Sequence, residues 1–161
     1  MLTQKRLKQI LHYDLAIGEF RWLVNVGSVK SGTVAGCLDG KGYLVIKIDG
    51  KKYYGSQLAF LYITGRFARP TADHKDRNPS NTKWDNLREA TWSQSNANQK
   101  PRGRSGLKGA AWSEAAQKWK SSVRVKGRRI HLGYFDTAKE ANQAYTVAAR
   151  QHHGEFAYLE Q

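Results

Sequence analysis

Within residues 72–98, ADHKDRNPSNTKWDNLREATWSQSNAN, an adjacent Asp73-His74 pair, an Asn86 ahead of a short apolar run and an Asn-rich tail stand at spacings suited to one-metal phosphodiester hydrolysis. That reaction needs an activated water, charge stabilisation at phosphorus and help for the departing oxygen. His74 suits the base, because imidazole titrates near neutrality. Asp73 suits a hard oxygen ligand for Mg2+ or Mn2+. Neighbours on a strand point to opposite faces, but where the strand ends in a loop both can face one cleft. Asn86 is placed to accept from or position the imidazole and so fix its tautomer. An Asp-His dipeptide alone is far more often a turn Asp beside an exposed His, and it is the surrounding pattern that reverses this weighting.

The elements that must hold these residues begin with Thr3 as N-cap and Leu2, Leu7, Ile10 and Leu11 at helical spacing, which predict a short amphipathic helix over about residues 4–12. From Glu19 to Tyr54 the pattern turns to alternation with Gly punctuation: EFRWLV, TVAG, GYLVIKIDG and KKYYG. Asp49-Gly50 between two such runs predicts a two-residue hairpin. Ser56 to Thr64 predicts a helix closed by Gly65, with Leu58, Ala59, Leu61 and Tyr62 supplying core.

Past KPRGRSGLKG, a basic stretch without periodicity, GAAW, KWKSSVRV and RRIHLGYF predict three strands, with Lys126-Gly127 as the second turn. Thr137 and Glu140 then offer a capping box. Ala138, Ala141, Ala144, Tyr145 and Ala148 form one face of the helix that follows, until Gly154 stops it. Trp112, Trp119, Leu132, Tyr134, Phe135 and Phe156 are expected in packing. His152 and His153 end that helix, where a cation suits the dipole better than a metal site would.

The chain has 161 residues and a formal charge of +14, unevenly spread: residues 100–131 carry ten Lys/Arg against one acid, Glu114. A basic block of this kind suits a polyanion, since each phosphate neutralised releases counterions. The lone Cys37 excludes an intrachain disulfide framework, and without Cys-x-x-Cys a thiolate zinc site is excluded too. Charges threaded through the first residues do not fit a signal peptide, and the longest apolar run, residues 58–63, is far too short to span a bilayer. These features predict a soluble protein in a reducing compartment.

The DHKDRNPSN and DNLREAT stretches resemble the HNH nuclease family, specifically its phage and intron homing-endonuclease branch. The first 70 residues also resemble the region preceding this motif in such nucleases. The resemblance implies a two-strand, one-helix (ββα) metal fold over residues 71–75, 87–90 and about 93–99. Asp73 would be a metal ligand, His74 the general base and Asn86 the middle motif residue. Two positions depart from the family pattern. Ser95 stands where a ligating Asn is usual, with Asn96 adjacent and Asn98 one turn on, and Ser56 stands where a His often precedes Leu-Ala. Helical geometry places Asn98 on the face of Ser95 and turns Asn96 away by about 100°. Three alternatives follow: Ser95 holds the metal directly or through water, a one-residue shift makes Asn96 the ligand, or the site is impaired.

Residues 105–159 are similar throughout to the Apetala-type DNA-binding domain of plant ethylene-response factors, a unit also fused to HNH nucleases in phages. This implies a three-stranded antiparallel sheet packed on one helix, presenting side chains to the major groove. The implied DNA contacts are Lys108, Ser122, Arg124, Arg129 and His131, with Tyr145 on the helix. Lys126 and Arg128 are further phosphate candidates. Ala111, Ala116 and His131 depart from the plant pattern, so the plant recognition sequence does not carry over.

The expectation is an α+β chain: a nuclease region over residues 1–99 with its motif core at 71–99, a basic linker at 100–107 and an Apetala-type domain over 108–161. Its expected activity is Mg2+- or Mn2+-dependent DNA cleavage at a site selected mainly by the C-terminal module. Its partner is double-stranded DNA, with no membrane and no obligate protein partner, in the cytoplasm of a phage-infected bacterium. The alternative, motivated by Ser95 and Ser56, is a DNA-binding regulator with a decayed nuclease unit. An RNA-binding or ribosome-associated protein fits the charge but not Asp73-His74.

Overall fold

The computed structural model describes residues 1–101 and 103–158. Arg102, in the expected linker, and residues 159–161, the expected end of the second module, lie outside the described residues. Among the described residues the chain is α+β, with four α-helices and several small antiparallel sheets. It divides into two compact units, Met1–Ala90 and Thr91–Gln161. The division falls ahead of the expected linker, because the helix over residues 92–98 packs with the second unit.

In the first unit, helix α1 (Gln4–Ile10) is capped by Thr3, whose side chain accepts from the Arg6 N–H. It stops two residues short of expectation. Leu11 and Tyr13 alternate inward as part of strand β1 (Leu11–Asp14), which pairs antiparallel with β2 (Glu19–Trp22), so tertiary strand pairing overrides the helical period here. Strands β3 (Cys37–Leu38), β4 (Leu44–Ile48) and β5 (Lys51–Tyr54) form a second sheet in that order. The β4–β5 hairpin turns on Asp49-Gly50, both at positive φ (47° and 80°), as a primed two-residue turn requires. Helix α2 (Gly55–Thr64) buries four consecutive residues, Leu58 to Leu61, while Ile63 and Thr64 in its last turn are exposed; Gly65 ends it at φ 78°. Strands β6 (Thr71–His74) and β7 (Leu87–Ala90) then form an antiparallel pair.

The loop between β6 and β7 is bolted to the β1–β2 turn. The Tyr13 ring stacks on Phe20 at 4.4 Å, and its hydroxyl donates to the Thr82 carbonyl. The Thr82 hydroxyl donates in turn to the Gly18 carbonyl. Gly18 sits at φ 76°, and a Cβ there would lie 2.4 Å from the Lys83 nitrogen, so this close approach admits only glycine.

In the second unit, helix α3 (Trp92–Asn98) opens with a capping box between Thr91 and Gln94. Strands β8 (Ala110–Ser113), β9 (Lys118–Val125) and β10 (Arg128–Phe135) form a sheet with β9 central, and Lys126-Gly127 (φ 47° and 81°) makes the β9–β10 turn. Helix α4 (Ala138–His153) starts from the expected Thr137/Glu140 capping box and stops at Gly154. It lays Ala141, Tyr145, Ala148 and Ala149 on the sheet, where Val123 is buried and the Ser121 hydroxyl donates to the Ala141 carbonyl at 2.7 Å. Small residues allow this close approach. Three packing expectations change: Trp112 and Tyr134 are exposed, with Trp112 edge-on to Trp119 at the sheet rim, and His153 is buried. Burial first, and the charge of His152 second, push the His153 pKa down, which disfavours the cation expected on the helix dipole.

Candidate functional site

Asp73 and His74 end β6, and both are buried. Asp73 faces Arg88 across the β6–β7 ladder, and its Oδ2 accepts from Arg88 Nε at 3.0 Å, both side chains lying out of solvent. His74 faces Leu87, and its ring lies 6.0 Å from that of Tyr43. Burial pushes the His74 pKa below its ordinary value, against the opposing pull of Asp76 and Asp73, and so favours the neutral imidazole that can accept a proton.

The sequence expects Asn86 on the imidazole. Its amide instead braces the loop: Nδ2 donates to Asp76 Oδ1 at 2.9 Å and to the Asn81 carbonyl at 2.8 Å, while Oδ1 accepts from the Asp76 N–H at 3.0 Å. Asp76 also accepts from the Asn78 N–H and from Asn81 Nδ2. Burial pushes this carboxyl up, but those hydrogen bonds outweigh it and hold the pKa below the usual range. Asn86 therefore braces the loop that follows His74 and makes no bond to the imidazole itself. Sequence reasoning missed Asp76, Arg88 and Tyr43. For Asp76 a signal existed, the run of short polar side chains in DRNPSN that favours Asx-type turns.

Ser95, Asn96 and Asn98 lie on α3, in the second unit. Ser95 is half-buried, Asn96 exposed and Asn98 buried, so the two residues expected on one face differ in their access to solvent. Ser56 is buried in the first turn of α2. Among the described residues no group of three or more His, Cys, Asp or Glu is gathered as a metal would need.

The second unit gathers four of the expected DNA contacts on one sheet face. Arg124 pairs with Arg129 and Ser122 with His131 on alternate rungs, while the intervening Val123 and the preceding Ser121 face α4. Lys120, opposite Ala111 and Tyr134, extends this outer row and was not singled out from the sequence. Lys126 stands in the turn, and Arg128 pairs with Val125, on the alternate parity. Two expected contacts lie off this outer row. Tyr145 is buried against Gly109, where a Cβ would lie 2.2 Å from its ring, and burial raises its pKa to about 12. Lys108 turns its ammonium onto backbone carbonyls of α3. A cleft of about 320 Å3 beside the outer row is lined by Arg124, Arg129 and Ser122, by Ser93 and Asn96 of α3, and by Lys108 and Tyr145, and no acidic side chain lines it.

No helix among the described residues is long and apolar enough to cross a membrane. No family model and no solved structure matches this sequence. It is similar to Protein 3.8 of Escherichia phage T7, with 36% identity over 87 residues, which cover 53% of this chain and 71% of the relative. That relative is a bacteriophage protein, in line with the phage setting expected from the sequence. With this identity over most of the relative's length, the chain belongs to the family of phage T7 Protein 3.8.

Proposed function

We propose that the protein is a metal-dependent DNA endonuclease of the HNH homing type, directed to its site mainly by the outer face of the β8–β9–β10 sheet. The observation that carries this reading is His74: a buried imidazole held toward its neutral form, beside a buried carboxylate, at the end of a strand whose following loop is cross-braced. His74 takes the proton of the attacking water. Arg88 fixes one oxygen of Asp73, and Asn86 with Asp76 holds the loop that His74 leads into.

By the sequence motif, the carboxylate of Asp73 would be a ligand suited to a hard divalent ion. When bound, Mg2+ or Mn2+ supplies positive charge for the phosphorus centre. Double-stranded DNA is the substrate and partner, met in the cytoplasm of the infected host. Two arginines directly opposite on one rung repel each other, and an intervening phosphate or base edge relieves that cost.

A second reading, a DNA-binding regulator with a decayed nuclease unit, is favoured by the Asp73–Arg88 ion pair, which competes for the carboxylate. Incubating the full chain with plasmid DNA and Mg2+, with and without chelator, separates the two. Chelator-sensitive cleavage supports the nuclease, whereas salt-dependent binding with no cleavage assigns the regulator.

A further inference from the structure

We infer that Lys108 is a positioning residue. Its ammonium closes the C-terminal end of α3 and fastens the helix carrying Ser95 and Asn96 to the β8–β9–β10 sheet, so that helix and sheet move as one piece. The importance of Ser95 and Asn96 rests on the proposed nuclease reading; the fastening rests on geometry within the second unit.

A seven-residue helix is too short to persist alone, and its last carbonyls lack partners within the helix. No glycine cap closes it: Gln99, at the C-cap, is extended (φ −70°, ψ 150°). Lys108 closes it instead. Its Nζ donates to the Asn96 carbonyl at 3.0 Å and to the carbonyls of Ala97 and Gln99, one for each N–H of the ammonium, at the end of the helix where a cation suits the dipole. The Tyr158 ring lies 5.3 Å from the same nitrogen, and the Tyr158 N–H donates to the Ala97 carbonyl at 3.2 Å.

The other end of Lys108 is equally fixed. Its carbonyl accepts from Asn142 Nδ2 of α4 at 2.8 Å, and the next residue, Gly109, is at φ 78° with the Tyr145 ring filling the space a side chain would need. A second tie joins the first turn of α3 to β9, where Ser93 Oγ donates to the Arg124 carbonyl at 3.3 Å. An ammonium committed to three carbonyls cannot bind a DNA phosphate without releasing the helix. Lys108 therefore serves cleavage through α3 rather than affinity through DNA.

The test uses the full chain as wild type, Lys108→Met and Lys108→Arg. In Lys108→Met, amide exchange over residues 95–98 should quicken about tenfold, and Lys108→Arg should restore most of the protection. Affinity for a mixed-sequence DNA duplex in chelator, and its salt slope, should not change. A phosphate contact would instead lower that slope by about 0.9, and this result with unaltered α3 exchange overturns the inference. In the wild type, the Lys108 amine should resist a small acylating reagent with or without duplex; protection that appears only with duplex overturns it as well. Mg2+-dependent cleavage by Lys108→Met should fall about tenfold or more, and undiminished cleavage from a frayed α3 refutes the positioning role. If exchange and slope behave as expected but no form of the protein cuts, the fastening stands and the nuclease reading is the part that fails.

Discussion

At the end of β6 the side chains proposed to serve cleavage are buried and interlocked, Asp73 with Arg88 and Asn86 with Asp76 and Asn81. On the outer face of β9 and β10 the expected DNA contacts, Arg124, Arg129 and His131, stand in solvent on alternate rungs. The difference suits the two tasks proposed for these regions. A reacting group loses rate when displaced by an ångström, so its supports are made in advance. A reading surface must settle on bases and phosphates, so its side chains keep their freedom until DNA orders them. Mutations should therefore divide cleanly: the hairpin should respond in stability and rate, the sheet face in affinity.

The largest expected effect is on rate. His74→Ala should lower Mg2+-dependent cleavage by about a thousandfold or more, with duplex affinity within about twofold. Wild-type cleavage should also stay level as pH drops to about 6.5, the ordinary value for histidine, and decline only below it. In the proposed reaction the unprotonated imidazole is the active form, and burial moves its pKa down. A pH–rate profile that already falls between pH 8 and 7 counts against His74 as the base.

Next is stability. Asn86→Ala strips partners from the Asp76 N–H and the Asn81 carbonyl, and should cost about 2–3 kcal/mol in urea unfolding while also slowing cleavage. If the variant unfolds like wild type, the cross-brace does not hold the loop.

Smaller again, Arg129→Ala should weaken duplex binding by about 1–2 kcal/mol and change unfolding by less than about 0.5 kcal/mol. A loss of stability with unchanged affinity would reverse the contrast drawn between the two regions. The smallest effect concerns α3: Ser95→Asn should raise the cleavage rate a few-fold, because an amide oxygen reaches farther than a hydroxyl, and Asn96→Ala should change it little. Abolition of cleavage by Asn96→Ala, with Ser95→Asn neutral, would move the ligand to Asn96.

Much of the fold was legible because local signals and tertiary packing agree. Thr3, Asp49-Gly50, Gly65, Lys126-Gly127, Thr137/Glu140 and Gly154 mark boundaries where the sequence puts them. Strand β1 was hidden because Leu11 continues the helical spacing of α1, and only its pairing with Trp22 makes it a strand. In the site, Asp73, His74 and Asn86 were visible as residue types, but the Asp73–Arg88 rung and the Asn86–Asp76 brace depend on register and loop closure, which spacing does not encode. Lys108 shows the same limit: the resemblance assigns it to DNA, and the carbonyls around its ammonium come into view only with the fold.

The Gly18–Thr82–Tyr13 latch bears on how such a motif is inherited. The segment from β6 to β7 looks self-contained in one dimension, like a cassette to be cut from one chain and spliced into another. Its rear wall is owned by residues some sixty positions earlier, where a glycine without a side chain admits the Thr82–Lys83 backbone. A transplant of residues 71–99 alone would arrive with the Thr82 hydroxyl and carbonyl facing a stranger. The unit that travels intact includes the β1–β2 turn, and a lineage exchanging this motif must carry both pieces or rebuild the seam between them.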